Sequence, residues 1–386
     1  MIPYARQDIT QADIDAVIEV LRSDWLTQGP TVTQFEQAVA NHCGAQQAVA
    51  VNSATSALHI ACLALGLGQG DWLWTTPITF VATANCALYC GARVDFVDID
   101  PKTYNLDVAC LAEKLAQAEK LGKLPKVVVP VHLCGQPCDM EAIYALSKKY
   151  DFKVIEDASH AIGGRYRGEP IGKGRYSDIT ILSFHPVKIL TTGEGGMALT
   201  NDETLAHSMR LYRSHGIVSD RDHMHQRPAN EIWNYQQVHL GFNYRMTDIQ
   251  AALGLSQLKR LDTFIAKRHN IARRYDHTLN DLALRLPWQH PDSHSSYHLY
   301  PIRILPQAGL SQQQVYHALS AADIKVNLHY IPVYRQPYYE AMGFSPGYCP
   351  EAENYYRETI SLPMFPGLSV EQQDTVIQTL RAILAA

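Results

Sequence analysis

The chain has 386 residues, of which 46% are hydrophobic and 18% are charged. That length suffices for one large globular unit or for two domains that share an interface. The 33 Lys and Arg residues against 38 Asp and Glu residues leave a formal charge of −5, which excludes a strongly basic, nucleic-acid-binding protein. The N-terminus lacks the features of a signal peptide, and the apolar runs are too short to cross a bilayer. We therefore expect a cytoplasmic location, with neither nucleic acid nor membrane as a partner.

Eight cysteines occur along the chain, most of them inside apolar helical or strand-like stretches. They are Cys43, Cys62, Cys86, Cys90, Cys110, Cys134, Cys138 and Cys349. This pattern predicts reduced, buried cysteines that pack as small hydrophobic residues. Cys134 and Cys138 lie near His132, but a metal site would need a fourth ligand and a compact knuckle that the sequence does not show. The segment is interpreted as a turn at the end of a strand, and no metal is expected.

Two helices are predicted near the N-terminus. Thr10 and Asp13 have the spacing of a capping box, and apolar residues recur at helical spacing until the first helix ends near Trp25. A Gly-Pro pair at residues 29–30 marks the following loop. The second helix is expected from about residue 32 to residue 42.

Short apolar strands alternate with helices from residue 48 to about residue 200. The predicted strands cover residues 48–51, 73–75, 94–97, 127–131, 154–156, 179–184 and 197–200. Helices are predicted between them over residues 56–65, 80–90, 108–118 and 140–149. This βαβ rhythm predicts an open α/β sheet with helices on both faces. Such sheets bind ligands beyond the carboxyl ends of their strands.

The remaining sequence predicts a smaller α+β domain. One long helix is expected over residues 247–279, followed by a strand at 297–304, a helix at 311–321, a strand at 326–330 and a closing helix at 369–384. We therefore expect a large domain over residues 1–250, which includes the N-terminal segment, and a smaller domain over residues 251–386. The polar, proline-containing stretch 220–229 is the expected mobile loop.

Small and hydroxyl-bearing residues follow the first predicted strand of the sheet. Asn52, Ser53, Ala54 and Thr55 lie between the end of that strand and the next helix. Small side chains let a ligand approach the backbone, and a helix N-terminus offers free N–H groups and a positive dipole. The segment is a candidate phosphate site, and an ordinary Ser/Thr helix cap is the alternative interpretation.

Two later strands lead directly into reactive side chains. The strand at 154–156 precedes Asp157 and His160, and a carboxylate there could face a ring nitrogen of a ligand. The alternative is an Asp that caps the next helix. The strand at 179–184 precedes Lys188, which stands among apolar residues. Desolvation lowers the pKa of such an amine and makes it a nucleophile toward aldehydes, whereas a surface lysine on a turn is the alternative.

These three segments follow one another in the order phosphate site, carboxylate, lysine. Together they offer what pyridoxal 5'-phosphate (PLP) requires. The phosphate is cradled, a carboxylate keeps the pyridine nitrogen protonated, and the lysine holds the aldehyde as an imine. Each signal is weak alone, but their conjunction in this order predicts an enzyme with PLP as its cofactor.

Six motifs resemble those of the DegT/DnrJ/EryC1/StrS family of sugar aminotransferases, and the resemblance covers nearly the whole chain. The motifs are residues 52–58, 79–85, 156–160, 183–188, 192–196 and 241–246. The resemblance implies an α/β fold, the PLP-dependent aspartate aminotransferase fold type I, with a large, mixed and mostly parallel sheet and a smaller C-terminal domain. The chain departs from the family at Ala54, where many members have glycine. That departure costs little if the backbone angle there suits alanine.

The resemblance also implies roles for the matching residues. Lys188 resembles the lysine that holds the cofactor and carries protons. Asp157 resembles the partner of the pyridine nitrogen, and His160 resembles the residue beside the phenolic oxygen of the cofactor. These three residues are the expected catalytic group.

Further cofactor contacts are implied for Ser53, Ala54, Thr55, Phe80, Ser183 and Asn243. Phe80 would stack on the cofactor ring, and the alternative is a core residue at a helix start. Asn243 would reach the phosphate bound in the neighbouring subunit, so that the active site would require a homodimer.

Within the family, the chain is most similar to the members of the pseudaminic acid pathway. The similarity rests on residues 23–30, 77–80, 213–216 and 327–332. It implies a substrate pocket lined by Tyr4, Asp24, Trp25, Leu26, Thr27, Asn327, Leu328, His329 and Tyr330. An aromatic and histidine wall suits a uracil ring and a sugar, and interface packing is the alternative for Tyr4 and Tyr330.

The implied reaction is ping-pong transfer of an amino group from L-glutamate to C4 of a UDP-linked 4-keto-6-deoxy-N-acetylhexosamine. Related dehydratases have histidine in place of the lysine, so Lys188 favours aminotransfer. One alternative is an aminotransferase for a dTDP- or GDP-linked hexose or for UDP-4-keto-arabinose. A Rossmann-type nucleotide-sugar oxidoreductase would need a GxGxxG motif where residues 52–56 stand. A non-catalytic scaffold would have lost the lysine or the carboxylate, and both are present.

Overall fold

The computed structural model describes residues 1–226, 228, 230–231 and 235–385. Its helices are α1 (Gln11–Leu21), α2 (Pro30–Cys43), α3 (Ala54–Ala64), α4 (Ala82–Tyr89), α5 (Val108–Leu121), α6 (Met140–Tyr150), α7 (Glu203–Arg213), α8 (Asp248–Leu258), α9 (Leu261–Leu279), α10 (Gln312–Ala321), α11 (Pro337–Glu340), α12 (Pro350–Glu358) and α13 (Val370–Ala385). Its strands are β1 (Gln47–Val51), β2 (Trp72–Thr75), β3 (Arg93–Phe96), β4 (Val127–Val129), β5 (Lys153–Asp157), β6 (Arg165–Tyr166), β7 (Glu169–Pro170), β8 (Ile179–Ser183), β9 (Gly196–Thr200), β10 (Ile217–Val218), β11 (Gln236–Gln237), β12 (Leu284–Arg285), β13 (Ser293–His294), β14 (Tyr300–Ile304) and β15 (Thr359–Leu362). Two residues of the predicted mobile loop, 227 and 229, lie outside the described residues. No helix in the described ranges has the length and apolar character needed to span a membrane.

The large sheet has the strand order β1-β9-β8-β5-β4-β2-β3. Strand β9 runs antiparallel to both of its neighbours, β1 and β8. The pairs β8–β5, β5–β4, β4–β2 and β2–β3 are all parallel. Apart from β9, the strands therefore point in one direction, and their carboxyl ends share one edge. The predicted α/β fold with a mixed, mostly parallel sheet is confirmed.

Successive residues of the buried strands enter two different cores. In β1, Ala48 and Ala50 pack on one face, whereas Val49 and Val51 pack on the other. Helices α2, α5, α6, α8 and α9 contribute to the first core, and α3, α4 and α7 contribute to the second. A strand that is buried on both faces needs apolar residues at consecutive positions, which explains the continuous apolar runs of the sequence.

A third core lies in the C-terminal part of the chain. The antiparallel sheet β12-β14-β15 packs there with α9, α10 and α13 around buried aromatic residues such as Tyr275 and Tyr300. Ile2 belongs to this core, and it forms an isolated bridge with Ile324. The first residues of the chain thus lie against its last third. The predicted domain division at residue 250 stays a prediction.

The prediction of one continuous helix over residues 247–279 is wrong. Helix α8 ends at Leu258 and α9 begins at Leu261, although neither glycine nor proline marks the break. The guanidinium of Arg260 binds the carboxylates of Asp8 and Asp13, each at 2.6 Å. Long-range ion pairs to residues in and before α1 therefore hold the turn between α8 and α9. A local sequence pattern cannot predict such a turn.

The prediction of a strand at residues 326–330 is also wrong. Asn327 forms only an isolated bridge with Ser361. Its side chain accepts a hydrogen bond from the N–H of Leu328 at 2.8 Å, and His329 pairs with the Ser361 hydroxyl at 2.9 Å. These side-chain hydrogen bonds compete with the backbone hydrogen bonds of a strand. The segment therefore forms no strand and lines a cavity at the edge of the large sheet.

His132 accounts for the apparent metal motif near Cys134 and Cys138. Its Nε2 lies 2.7 Å from a carboxylate oxygen of Glu156, and its Nδ1 accepts the N–H of Cys138 at 3.1 Å. Both ring nitrogens therefore have partners within the protein. All eight cysteines are free thiols, and the prediction that they are buried is wrong for Cys90 and Cys110, which are partly exposed.

Candidate active site

A cavity of about 880 Å³ opens at the carboxyl ends of the parallel strands. It brings together segments that are more than three hundred residues apart in the sequence, such as those of Tyr4 and Tyr330. The predicted site residues that line it are Tyr4, Ser53, Ala54, Thr55, Phe80, Asp157, His160, Ser183, Lys188, Asn327, Leu328, His329 and Tyr330. The phosphate segment, the carboxylate, the lysine and most of the predicted substrate pocket are thus parts of one cavity.

The start of helix α3 forms one wall of this cavity. Ser53 is its N-cap, and the Ser53 hydroxyl accepts the N–H of Ser56 at 3.1 Å. The amides of Ala54 and Thr55, in the first turn, have no acceptor within the helix. The cap and the phosphate site are therefore compatible, because the capping hydroxyl leaves these two N–H groups available for an anion.

Gly196 lets strand β9 approach the backbone at the start of α3 closely. It is paired with Val51 of β1 and with Ser183 of β8. A Cβ atom at this position would lie 2.4 Å from the amide nitrogen of Ala54 and 2.5 Å from the carbonyl carbon of Ser53. Only glycine fits there without moving the backbone of the α3 start.

Asp157 ends β5 and is buried at 4% exposure. One carboxylate oxygen accepts both the N–H of Ser159 at 3.1 Å and its hydroxyl at 2.6 Å. The other oxygen accepts the Thr83 hydroxyl at 2.7 Å. A carboxylate has about four acceptor positions, so one position remains for a donor in the cavity. The alternative that Asp157 caps a helix is wrong, because a strand and a turn flank it.

Lys188 lies in the loop between β8 and β9, where its N–H donates to the carbonyl of His185 at 2.9 Å. Burial lowers the pKa of its amine from the usual range to about 8, although the Asp157 carboxylate acts in the opposite direction. The same loop is pinned by the N–H of Thr192, which donates to the carbonyl of Phe184 at 3.0 Å. Lys188 is partly buried and lines the cavity, so the alternative of an ordinary lysine on a surface turn does not describe it.

His160 and Tyr330 form a hydrogen-bonded pair beside Lys188. The N–H of Cys134 donates to Nδ1 of His160 at 3.2 Å, and Nε2 of His160 lies 3.2 Å from the Tyr330 hydroxyl. Burial, followed by the charge of Lys188, holds the pKa of His160 well below its usual range. A neutral His160 whose Nδ1 accepts must carry its proton on Nε2. That proton is donated to Tyr330, so the Tyr330 O–H is free to donate to another group.

Phe80 stands at the mouth of the cavity with 59% of its surface exposed. Its ring centroid lies 6.5 Å from that of Tyr330. The alternative that Phe80 is a core residue is therefore wrong. Tyr4 also lines the cavity, and its ring centroid lies 5.8 Å from that of His329.

Five predicted contact residues do not line this cavity in the described chain. They are Asp24, Trp25, Leu26, Thr27 and Asn243. The segment from residue 24 to residue 27 lies over the start of α8, where Leu26 accepts the N–H of Asp248 at 3.0 Å. Asn243 forms a bridge with Ser214 and belongs to the segment that follows β11. For these residues the sequence interpretation stays a prediction.

Several lining residues were missed by the sequence analysis. The hydroxyl of Thr83 donates to Asp157. The hydroxyl of Thr79 lies 2.8 Å from that of Thr83 and therefore supports Thr83. Both residues lie in the family-like motif at residues 79–85, so the motif itself could have identified them as site residues. His298 also lines the cavity, with its ring 4.4 Å from that of His160. It precedes an ordinary apolar strand, and no local pattern distinguishes it.

The cavity fits PLP by the chemistry of its donors and acceptors. The free amides of α3 suit the phosphate, the remaining acceptor position of Asp157 suits a pyridinium N–H, and the amine of Lys188 suits the aldehyde. Phe80 offers an exposed aromatic face for the ring. The arrangement is that of an enzyme that binds PLP beside a large substrate.

Comparison with known proteins agrees with this chemistry. The model of the DegT/DnrJ/EryC1/StrS aminotransferase family matches residues 7–381. The spore coat polysaccharide biosynthesis protein SpsC of Bacillus subtilis is 40% identical over 99% of this chain and 97% of its own length. The UDP-4-amino-4,6-dideoxy-N-acetyl-beta-L-altrosamine transaminase of Campylobacter jejuni is 38% identical over 100% of this chain and 98% of its own length.

Solved structures show the same relationship. Helicobacter pylori PseC, described as an aminotransferase involved in the biosynthesis of pseudoaminic acid, is 32% identical and superposes with a TM-score of 0.90. The alignment covers 100% of this chain and 99% of that protein. The oxidoreductase alternative is therefore wrong. The chain belongs to the DegT/DnrJ/EryC1/StrS aminotransferase family and is a PLP-dependent sugar aminotransferase.

Proposed function

We propose that this enzyme transfers an amino group from L-glutamate to C4 of a UDP-linked 4-keto-6-deoxy-N-acetylhexosamine, a step of pseudaminic acid biosynthesis. The observation that carries the proposal is that Lys188, the residues suited to PLP and the wall from Asn327 to Tyr330 all line one cavity. The names of the Campylobacter jejuni relative and of Helicobacter pylori PseC support this substrate class.

When bound, PLP supplies an electron-withdrawing ring and an aldehyde that carries amino groups. Asp157 would accept the ring N–H at its free acceptor position, while hydrogen bonds from Thr83 and Ser159 fix the orientation of the carboxylate. The amides of Ala54 and Thr55, with the hydroxyls of Ser53 and Ser183, would hold the phosphate. Lys188 lines the same cavity.

Lys188 moves the proton in both half-reactions. Its Nζ takes a proton from the α-carbon of L-glutamate and, in the second half-reaction, delivers one to C4 of the sugar. A general acid or base works best when its pKa lies near the working pH. The pKa of about 8 that burial imposes on Lys188 places the amine in that range.

His160 and Tyr330 orient the reacting groups. Nε2–H of His160 fixes the Tyr330 hydroxyl as an acceptor, so the phenolic O–H points to a ligand oxygen. Burial raises the pKa of Tyr330, which therefore stays protonated and acts as a donor at neutral pH. Tyr4, Asn327, Leu328 and His329 line the cavity together with Tyr330 and would contact the sugar.

Asn243 acts from the neighbouring subunit of a homodimer. It does not line the cavity of its own chain, although it belongs to the family motif at residues 241–246. A twofold axis that brings this segment onto the partner's phosphate site would complete both active sites at once. Asp24, Trp25, Leu26 and Thr27, of which Trp25 and Leu26 are 56% and 48% exposed, complete the substrate pocket in the same assembly. A cytoplasmic location accompanies the proposal as a prediction.

The test is a comparison of kcat/KM among sugar nucleotides, with L-glutamate as the donor and product detection by mass spectrometry. The panel contains the UDP-4-keto-6-deoxy-N-acetylhexosamine, dTDP- and GDP-4-keto-6-deoxyhexoses and UDP-4-keto-arabinose. We expect the UDP-N-acetylhexosamine to react at least tenfold faster than the others.

Two results would contradict the assignment. A dTDP, GDP or pentose substrate that reacts fastest would refute the substrate but not aminotransfer. Borohydride reduction of the PLP-loaded enzyme, followed by peptide mapping, must place the cofactor on Lys188. A label on another lysine would refute the proposed catalytic residue, and Lys188→Ala, which has no amine at this position, serves as the control.

A further inference from the structure

A second cavity, of about 370 Å³, shares no lining residue with the PLP site. Its walls come from the end of α2, the hairpin of β6 and β7, helix α9 and strand β13. Small-molecule sites have volumes of roughly 300–1,000 Å³, so this cavity can hold one small ligand. We refer to it as the basic cavity, because its ionisable lining residues are Arg165, Arg273, His42, His269, His294 and Asp262.

Four of these residues form a continuous row along one wall. Arg165 and His294 stand opposite each other in the antiparallel pair of β6 and β13, so their side chains lie on the same face. The ring of His294 stacks on that of His269, with centroids 4.2 Å apart and planes 10° apart. His269 and Arg273 are four residues apart on α9, a spacing that makes side chains neighbours. The stacked histidine pair therefore links the two arginines.

Both arginines keep most of their hydrogen-bonding capacity. Arg165 donates to the carbonyl of Gly168 at 3.2 Å, and Arg273 donates to the side-chain carbonyl of Asn270. Neither guanidinium forms an ion pair with a carboxylate in the described part of the chain. A guanidinium has five N–H donors, so most donors of each arginine have no acceptor in the protein.

The bond between His269 and Ser295 fixes the proton on the His269 ring. Nε2 of His269 lies 2.7 Å from the carbonyl oxygen of Ser295. Because a carbonyl only accepts, Nε2 must carry a proton. A second proton would have to bind at Nδ1, which would turn His269 into a cationic donor.

Without a ligand, the histidines of the basic cavity resist this second proton. Burial lowers the pKa of His269 most, the bond to Ser295 opposes that shift, and His294 and Arg273 add to it. Burial is also the main cause of the lowered pKa of His42 and of His294. The histidines are therefore largely neutral at pH 7.

The fixed charges of the basic cavity are positive. The guanidinium groups of Arg165 and Arg273 against the one carboxylate, Asp262, leave a net charge of +1. Tyr297, whose ring centroid lies 4.8 Å from that of His269, stays neutral because burial raises its pKa. The cavity thus favours an anionic ligand.

We propose that the basic cavity binds an oxyanion of the phosphate or sulfate type, with Arg165 and Arg273 as its permanent cations and the histidines as further donors. Arginine suits such ligands, because its fork of N–H groups matches two oxygens of an oxyanion. A bound anion stabilises protonated histidine, so binding takes up protons and strengthens as the pH falls. The cavity exceeds one phosphate ion in size, which favours a small phosphorylated metabolite over free phosphate.

The test is equilibrium dialysis of the PLP-loaded full-length enzyme against radiolabelled sulfate, at low ionic strength and at pH 6 and pH 8. PLP then occupies the phosphate site at α3. Sulfate keeps its charge over this range, so any pH dependence arises from the protein. We expect one sulfate per chain at the basic cavity, with an affinity at least fivefold higher at pH 6 than at pH 8.

The double variant Arg165→Gln/Arg273→Gln should bind this sulfate at least tenfold more weakly. Both side chains are exposed, so the fold should persist, which circular dichroism checks. Arg274→Gln is the matched control, because it removes the same charge from the next position of α9. Arg274 pairs with Asp374 and does not line the cavity, so its loss should change the affinity less than twofold.

The double variant His269→Gln/His294→Gln separates the histidines from the arginines. Glutamine offers an N–H donor that does not titrate. Sulfate binding at pH 8 should persist in this variant, whereas the gain at pH 6 should fall below twofold. An unchanged gain would show that the stacked histidines take up no proton and would overturn their role.

Competition identifies the form of the ligand. A sugar phosphate that displaces sulfate at a lower concentration than inorganic phosphate does supports a phosphorylated metabolite, and the opposite order supports free phosphate. Displacement by neither compound would overturn the class of ligand. The site itself is refuted if the wild-type enzyme binds no sulfate, or if the arginine double variant binds it as Arg274→Gln does.

Discussion

At the scale of single residues, the pKa of Lys188 determines when the enzyme can capture its cofactor. Only the neutral amine attacks an aldehyde. With a pKa of about 8, the neutral fraction is about one tenth at pH 7 and about one half at pH 8. We expect the rate at which the apoenzyme acquires the visible band of PLP to rise about fivefold between pH 7 and pH 8, to rise about twofold more above pH 8, and to level off by about pH 9 to 10.

Stopped-flow absorbance with excess PLP measures this rate. Lys188→Arg should never develop the band, because guanidinium stays protonated over this range. A rate that keeps rising up to pH 10 would show that Lys188 has the pKa of an ordinary lysine.

The Tyr330 hydroxyl offers a second test on a single atom. Its orientation depends on the bonds from Cys134 to His160 and from His160 to Tyr330. Tyr330→Phe keeps the ring and removes one donor, which costs about 1–3 kcal/mol in the proposed complex, or about 5- to 150-fold in kcat/KM. Steady-state kinetics with the sugar nucleotide measure the loss.

Tyr339→Phe is the matched control for this prediction. Its hydroxyl donates to Asn85 at 2.6 Å, and Tyr339 does not line the cavity. We expect a lower melting temperature for this variant and an unchanged kcat/KM. Equal kinetic effects in the two variants would mean that Tyr330 acts through folding alone.

At the scale of elements, the contact between β9 and the start of α3 sets the phosphate site. Gly196→Ala would place a methyl group 2.4 Å from the amide nitrogen of Ala54, so the backbone of the site must move. We expect the dissociation constant for PLP to rise at least tenfold, measured by titration of the apoenzyme and loss of the visible band on dialysis.

Gly68→Ala is the control, since a Cβ atom at residue 68 would meet nothing within 4 Å. It should bind PLP as the wild-type enzyme does. Unchanged PLP affinity in Gly196→Ala would show that the phosphate does not depend on the amides at the start of α3.

Helices and loops also illustrate the limits of local patterns. The capping boxes at Thr10 and Ser311 mark helix starts that the sequence predicts within about one residue. The break at Arg260 has no such signal, because ion pairs to Asp8 and Asp13 across the fold produce it. An element boundary is thus predictable where its cause is local and unpredictable where its cause is a distant partner.

At the scale of the whole molecule, the proposed homodimer can be tested by complementation. Lys188→Ala and Asn243→Ala chains should each form nearly inactive dimers. If Asn243 serves the partner's site, random mixing makes half of the dimers hybrid, and each hybrid has one intact site. About a quarter of all sites would then be active.

The measurement is the transamination rate after the two variants are unfolded and refolded together. Separately refolded variants, mixed only in the assay, provide the control. If mixed dimers form but regain no activity, Asn243 acts within its own chain, and the shared active site is refuted.

The sequence by itself determined the chemistry of this protein. Ser53, Asp157 and Lys188 each follow an apolar strand, and parallel strands of one sheet bring their carboxyl ends to one edge. The alternation of strands and helices is a local property, so the α/β fold and the order of the functional segments could be derived from it. The conjunction of these residues in this order predicts PLP from the sequence alone.

Only the tertiary structure decided how those residues are controlled. The hydroxyl of Thr83 on Asp157, the pair of His160 and Tyr330, and the ring of His298 join segments that are far apart in the chain. Hydrogen bonds and desolvation act through space, and the sequence distance between two residues carries no information about them.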